Sequence, residues 1–72
     1  MTAVLKKRSF SLSGHRTSVA LEEAFWAIID AEAERAGQSL AAYVSAIDRA
    51  RGGRPLASAL RLAALEAAQR RP

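Results

Sequence analysis

Residues 8–21 read RSFSLSGHRTSVAL. Phe10 and Leu12 alternate with Ser9, Ser11 and Ser13, and Thr17, Val19 and Leu21 alternate with Arg16, Ser18 and Ala20. Period-two alternation marks strands with one covered face, and the Ser13-Gly14 pair interrupts it as a turn. With Ser13-Gly14 as a two-residue hairpin loop, Leu12 faces His15 and Phe10 faces Thr17. Phe10, Leu12, Thr17, Val19 and Leu21 then share one face, and Arg16, Ser18 and Ala20 lie on the other. The pattern leaves open whether the 8–12 strand pairs within its own chain or with a second copy.

After Leu21 the period changes. Phe25, Ile28, Ile29, Ala33 and Ala36 recur at helical spacing, with Trp26 on the flank, and Glu22-Glu23 sit where carboxylates favour a helix start. A first helix is expected over 22–36, stopped by Gly37. Ser39 is placed to cap a second helix, whose Leu40, Tyr43, Val44 and Ile47 fall at i, i+3, i+4 and i+7. Gly52-Gly53 ends that helix, and Pro55 allows a third over 56–69. In the third helix Leu56 and Leu60 point one way and Leu62 and Leu65 another, so a second chain is expected to cover it.

Seventy-two residues allow one small domain. Without cysteine the chain has no disulfide scaffold, thiolate metal site or cysteine nucleophile. A domain this short and without disulfide staples points to the cytoplasm, and its longest charge-free stretch, 36–47, is too short and polar to span a bilayer. The net charge of +4 is unevenly spread. Residues 1–16 carry Lys6, Lys7, Arg8 and Arg16 with no acid, and 49–72 carry six arginines against Glu66. Between them, six acids face Arg35 alone. Basic ends around an acidic middle favour an anionic polymer as partner. The domain organisation expected is a flexible basic arm over 1–8, a ribbon and two helices over 9–51, and over 52–72 a glycine hinge and C-terminal helix packing on a dimer.

A lone strand leaves its backbone groups unpaired, and a single hairpin is marginal in water. Two chains joining their strands antiparallel about a two-fold axis would solve this and bury a shared core. That dimer core is expected to hold Val19, Leu21, Phe25, Trp26, Ile29, Leu40, Tyr43, Val44 and Ile47. A two-stranded ribbon with a polar upper face fits the major groove of duplex DNA.

The strand Arg16–Leu21, the helix after it, the Gly37-Gln38-Ser39 turn and the helix from Leu40 together resemble the ribbon-helix-helix (Arc/MetJ-type) family of dimeric DNA-binding proteins. Lys7-Arg8-Ser9, Gly14-His15-Arg16-Thr17-Ser18, Phe25-Trp26, Gly52-Gly53-Arg54 and Ser58-Ala59-Leu60-Arg61 extend the likeness over most of the chain. They look like a small bacterial subfamily with an extra N-terminal strand and a third helix. The fold class expected is therefore mainly α with a short β-ribbon. The resemblance implies a homodimer, able to pair into a tetramer on DNA, that represses or autoregulates transcription. It also implies that Arg16, Ser18 and Ala20 face the bases, and that the backbone amides by Ser39 and Leu40 hold a phosphate.

The residue chemistry agrees. An Arg16 guanidinium can donate two parallel hydrogen bonds to guanine, Ser18 can donate or accept, and Ala20 offers a methyl to thymine. The start of the second helix, at Gln38, Ser39 and Leu40, presents free amides and a positive dipole end. Lys6, Lys7 and Arg8 are expected along the DNA backbone, with His15 near a phosphate. Trp26, Phe25 and Tyr43 read as core, and Asp30, Glu32 and Glu34 as a solvated face. No triad, phosphate loop or metal spacing occurs, so the chain reads as a non-enzyme without cofactor. An alternative is a protein-interaction module, antitoxin-like or adaptor, that uses the third helix, with DNA binding secondary or lost. A third reading lays that helix on an anionic membrane.

Overall fold

The computed structural model describes residues 4–70. Its elements are β1 (Leu5–Leu12), β2 (His15–Glu22), α1 (Glu23–Arg35), α2 (Leu40–Ala50) and α3 (Leu56–Arg70). A two-stranded antiparallel ribbon is followed by three helices. β1 pairs with β2 of the same chain, in the register that places Leu12 opposite His15 and Phe10 opposite Thr17. Ser13 and Gly14 both adopt positive φ, 52° and 80°. Positive φ at both central residues is the backbone of the primed turn whose twist matches a hairpin, and glycine takes it without a Cβ penalty.

Because side chains alternate, the register sorts the ribbon into two faces. Lys6, Arg8, Phe10 and Leu12 share the inner face with His15, Thr17, Val19 and Leu21. Leu5, Lys7, Ser9 and Ser11 share the outer face with Arg16, Ser18, Ala20 and Glu22. Phe10, Leu12, Val19 and Leu21 are buried with Trp26 and Ile29 of α1, Val44 of α2 and Leu60 and Ala64 of α3. Burying a large apolar side chain contributes about 1.5–3 kcal/mol, so these residues hold the ribbon on the helices.

The basic arm expected over 1–8 is strand from Leu5 onward; residues 1–3 lie outside the described residues. Long-range contacts explain the difference. The Trp26 indole N–H donates to the Lys6 carbonyl at 2.8 Å. Arg8 lies over the Trp26 ring at 4.7 Å and donates twice to Asp30, at 2.8 and 3.2 Å. Phe10 packs beside the same indole, with ring centroids 6.1 Å apart.

The junctions follow local chemistry. α1 ends with the Gly37 amide bonded to the Glu34 carbonyl and the Gln38 amide bonded to the Ala33 carbonyl, with Gly37 at φ 69°. Ser39 Oγ accepts from the Ala42 amide at 3.1 Å and caps α2. After α2, Arg51 bridges Asp48 (2.7 Å) and the Arg54 carbonyl (2.7 Å), bracing the turn into α3.

α3 belongs to the core of its own chain. Ala59, Leu60, Ala64 and Ala67 are buried without a second copy, because alanines let the helix axis approach α1 and α2 closely. Its outer side keeps Leu62 and Leu65 exposed. Among the nine residues expected in a dimer core, Val19, Leu21, Trp26, Ile29 and Val44 are buried by their own chain. Phe25, Leu40, Tyr43 and Ile47 are half-buried against them.

Candidate nucleic-acid interface

The outer face of the ribbon is polar, and most of its side chains are unengaged. Arg16 and Ser18 are exposed, Ala20 is half-buried, and Lys7, Ser9 and Ser11 are exposed opposite them on β1. Arg16 and Lys7 have no hydrogen-bond or ion-pair partner among the described residues. The Ser18 hydroxyl lies 2.8 Å from that of Ser9, so one hydroxyl donates to the other across the strands. Ser9 and Ser11 were missed as candidates, although the alternation that selects Arg16, Ser18 and Ala20 selects them too once the hairpin register is applied.

The cations called on for phosphate contact divide. Lys6 and Lys7 are exposed and unpaired among the described residues, whereas Arg8 is engaged by Asp30 and Trp26 on the inner face. His15 is exposed beside the turn, in the inner row opposite Leu12. At the start of α2 the Gln38 amide is taken by Ala33, and Ser39 Oγ and its carbonyl are taken by Ala42 and Tyr43. Leu40 and Ala41 are the first helical residues, whose N–H groups have no intrahelical acceptor. The anion-attracting end of α2 is thus narrower than the sequence implied, reduced by the hydrogen bonds that close α1.

The acidic middle of the chain is partly neutralised: Asp30 and Glu34 are exposed, as a solvated face requires, whereas Glu32 departs from that reading. Asp30 holds Arg8, and Glu32 is buried, at 4% exposure, under Arg35 (2.8 Å) and Arg70 (3.3 Å). The Glu32 carboxylate raises the Arg35 guanidinium pKa further. Burial, with Glu32 nearby, pushes the Tyr43 phenol up. A buried carboxylate requires such partners, since desolvating an unpaired one is costly.

Glu22, the last residue of β2, accepts from Arg61 of α3 at 3.0 and 2.9 Å, and Arg61 lies 5.7 Å from the Phe25 ring centre. A hydrogen bond from its own backbone, then the Arg61 guanidinium, hold the Glu22 carboxyl below the usual range. Arg61 was not among the sequence candidates. A sequence separation of 39 between the partners leaves no local signal of the pairing.

Among the described residues, no group of three His, Cys, Asp or Glu is placed to hold a metal ion, and no helix is long and apolar enough to cross a membrane. The chain matches no curated protein and no solved structure at a significant level. The ribbon-helix-helix domain model matches residues 5–68, which takes in the ribbon, α1, α2 and nearly all of α3. That family has a DNA-binding or regulatory role in general. The order of elements, the ribbon's polar outer face and this match agree: the chain belongs to the ribbon-helix-helix family.

Proposed function

We propose that the chain is a homodimer that binds double-stranded DNA sequence-specifically and acts as a transcriptional regulator or autorepressor, laying an antiparallel β-ribbon in the major groove. The observation that carries this reading is the division of the ribbon into a core-bound inner face and an outer face bearing unengaged Arg16 and Lys7 with Ser9, Ser11 and Ser18. Eight-residue strands rising roughly 3.3 Å per residue are long enough to follow several base pairs. Arg16 reads guanine, Ser18 donates or accepts, and Ala20 meets a thymine methyl. Lys6, Lys7, His15, Ser39 and the amides of Leu40 and Ala41 meet phosphates and set the register.

An open edge supports the dimer. Among the described residues the sheet has two strands, so β2 keeps one edge without ladder partners. A second copy adding its own β2 antiparallel would bring two sets of Arg16, Ser18 and Ala20 to the centre, with β1 and Lys7 at the margins. It would also give Phe25, Leu40, Tyr43 and Ile47 a surface to be buried against.

Light scattering should give the mass of two chains, and duplex affinity should fall with salt at a log–log slope of about −0.9 per phosphate neutralised. Arg16→Ala should weaken the preferred sequence by about 1–3 kcal/mol and unrelated sequences much less. A chain that ignores duplex DNA at low salt ends the proposal. A uniform loss across sequences in Arg16→Ala makes Arg16 a positioning contact.

One observation favours the second reading, a protein-interaction module. Leu62 and Leu65 are exposed on α3, and Leu62 lines an open cleft of about 360 Å³ with Ile47, Ala50 and Ala59. That reading stands if duplex binding fails while the fold is intact.

A further inference from the structure

The outer face of β2 ends on an acid. By register Glu22 lies in the row of Arg16, Ser18 and Ala20, opposite Leu5. A free carboxylate in that row would repel a nucleic-acid backbone approaching it. In the structure it is not free. Arg61 reaches it from α3 with two donors on one oxygen, Oε1, at 3.0 and 2.9 Å. Both side chains are only about one-third exposed, at 35% for Arg61 and 33% for Glu22. Phe25, at the start of α1, flanks the Arg61 guanidinium.

The other ion pairs serve elsewhere. Arg8–Asp30 ties the inner face of β1 to α1, Arg35 and Arg70 cover Glu32, and Arg51–Asp48 braces the turn after α2. Arg61–Glu22 differs in that its acid belongs to the outer row. It is also the ion pair by which α3 reaches the ribbon among the described residues.

We propose that Arg61 is a positioning residue for the ribbon's duplex contact: it neutralises and turns aside the Glu22 carboxylate so that the outer face of β2 accepts polyanionic DNA. α3 is then a working part of the interface without touching DNA, two of the five guanidinium N–H donors of Arg61 being committed to Glu22. The inference rests on the DNA-binding reading above and adds a residue and an element to it.

The test compares duplex affinity and its salt slope for wild type, Arg61→Ala, Glu22→Gln and the double variant, with thermal melting of each. Arg61→Ala should weaken binding by about three- to tenfold, the scale of one uncompensated charge near a phosphate. Glu22→Gln should bind as well as wild type or better, and the double variant should recover to within about twofold of Glu22→Gln alone, because the two residues are in contact and the loss of Arg61 matters only while the carboxylate it covers is present. All four should keep a common salt slope. Glu22→Gln breaks the same ion pair as Arg61→Ala, so a merely structural role makes every variant weaker and overturns the proposal. A loss in Arg61→Ala that persists in the double variant, with the slope reduced by about 0.9, makes Arg61 a direct phosphate contact and also overturns it. Unchanged affinity in Arg61→Ala overturns it while leaving the DNA-binding reading intact. Absence of duplex binding by wild type overturns both.

Discussion

Arg8 and Arg16 lie on opposite strands of one ribbon, and their surroundings have nothing in common. Arg8, on the inner face, is stacked over Trp26 and doubly bonded to Asp30. Arg16, on the outer face, is exposed and without a partner among the described residues. The residue type is the same, and the side of the pleat decides the role. An arginine facing the helices meets an aromatic ring and a carboxylate and becomes a strut. One facing outward keeps its five donors available to an external acceptor.

The comparison can be broken at three levels. The largest effect is expected at the hub of the inner face. Trp26 is buried at 1% exposure, holds the Lys6 carbonyl and supports Arg8 and Phe10. Trp26→Ala should cost about 3–5 kcal/mol, a large share of the stability of so small a domain, read as a fall in the denaturant midpoint. An unchanged midpoint would mean that the inner face is not what holds the ribbon.

A smaller change separates the two arginines directly. Arg8→Ala removes a half-exposed ion pair and a cation–π contact and should lower stability by about 1 kcal/mol, seen in melting. Its duplex affinity should stay within about twofold of wild type, since ordinary surface substitutions act on the scale of a few tenths of a kcal/mol. Arg16→Ala should do the reverse, leaving melting unchanged and weakening binding. Equal effects of the two on DNA would erase the distinction between the faces.

The smallest effect concerns Glu22 and acid. Its carboxyl is held below the usual range in the folded chain, so the unfolded chain takes up a proton first as pH falls. Its contribution is therefore complete above the ordinary glutamate value of about 4.3 and is lost as pH falls through the lower, folded value. A stability-against-pH series should show wild type ahead of Glu22→Gln near neutrality, with the gap closing in acid. A gap that widens in acid would reverse the sign and contradict the pairing with Arg61.

Much of the fold was legible locally. The alternation in 8–21 placed Phe10, Leu12, Val19 and Leu21 on the covered face and set the register through Ser13-Gly14. The stop at Gly37 and the cap at Ser39 placed the α1–α2 turn. These features depend on backbone preferences of neighbouring residues, which a one-dimensional pattern carries. The basic arm was less legible, because the run Lys6-Lys7-Arg8 reads as solvated until Trp26 and Asp30 are brought beside it. Glu32 was misread for the same reason: its helical position looks exposed, and its cover includes Arg70, 38 residues away.

The sequence by itself determined the elements, the hairpin register and the polarity of each ribbon face, since each follows from periodicity and turn chemistry within a few residues. Tertiary structure alone decided which charges remain available. Arg8 is taken by Asp30, Glu22 by Arg61 and Glu32 by Arg70, across separations of 22, 39 and 38 residues. It also decided that α3 completes the core of its own chain. Coulombic pairing and burial depend on distance in space, and the folded chain sets that distance.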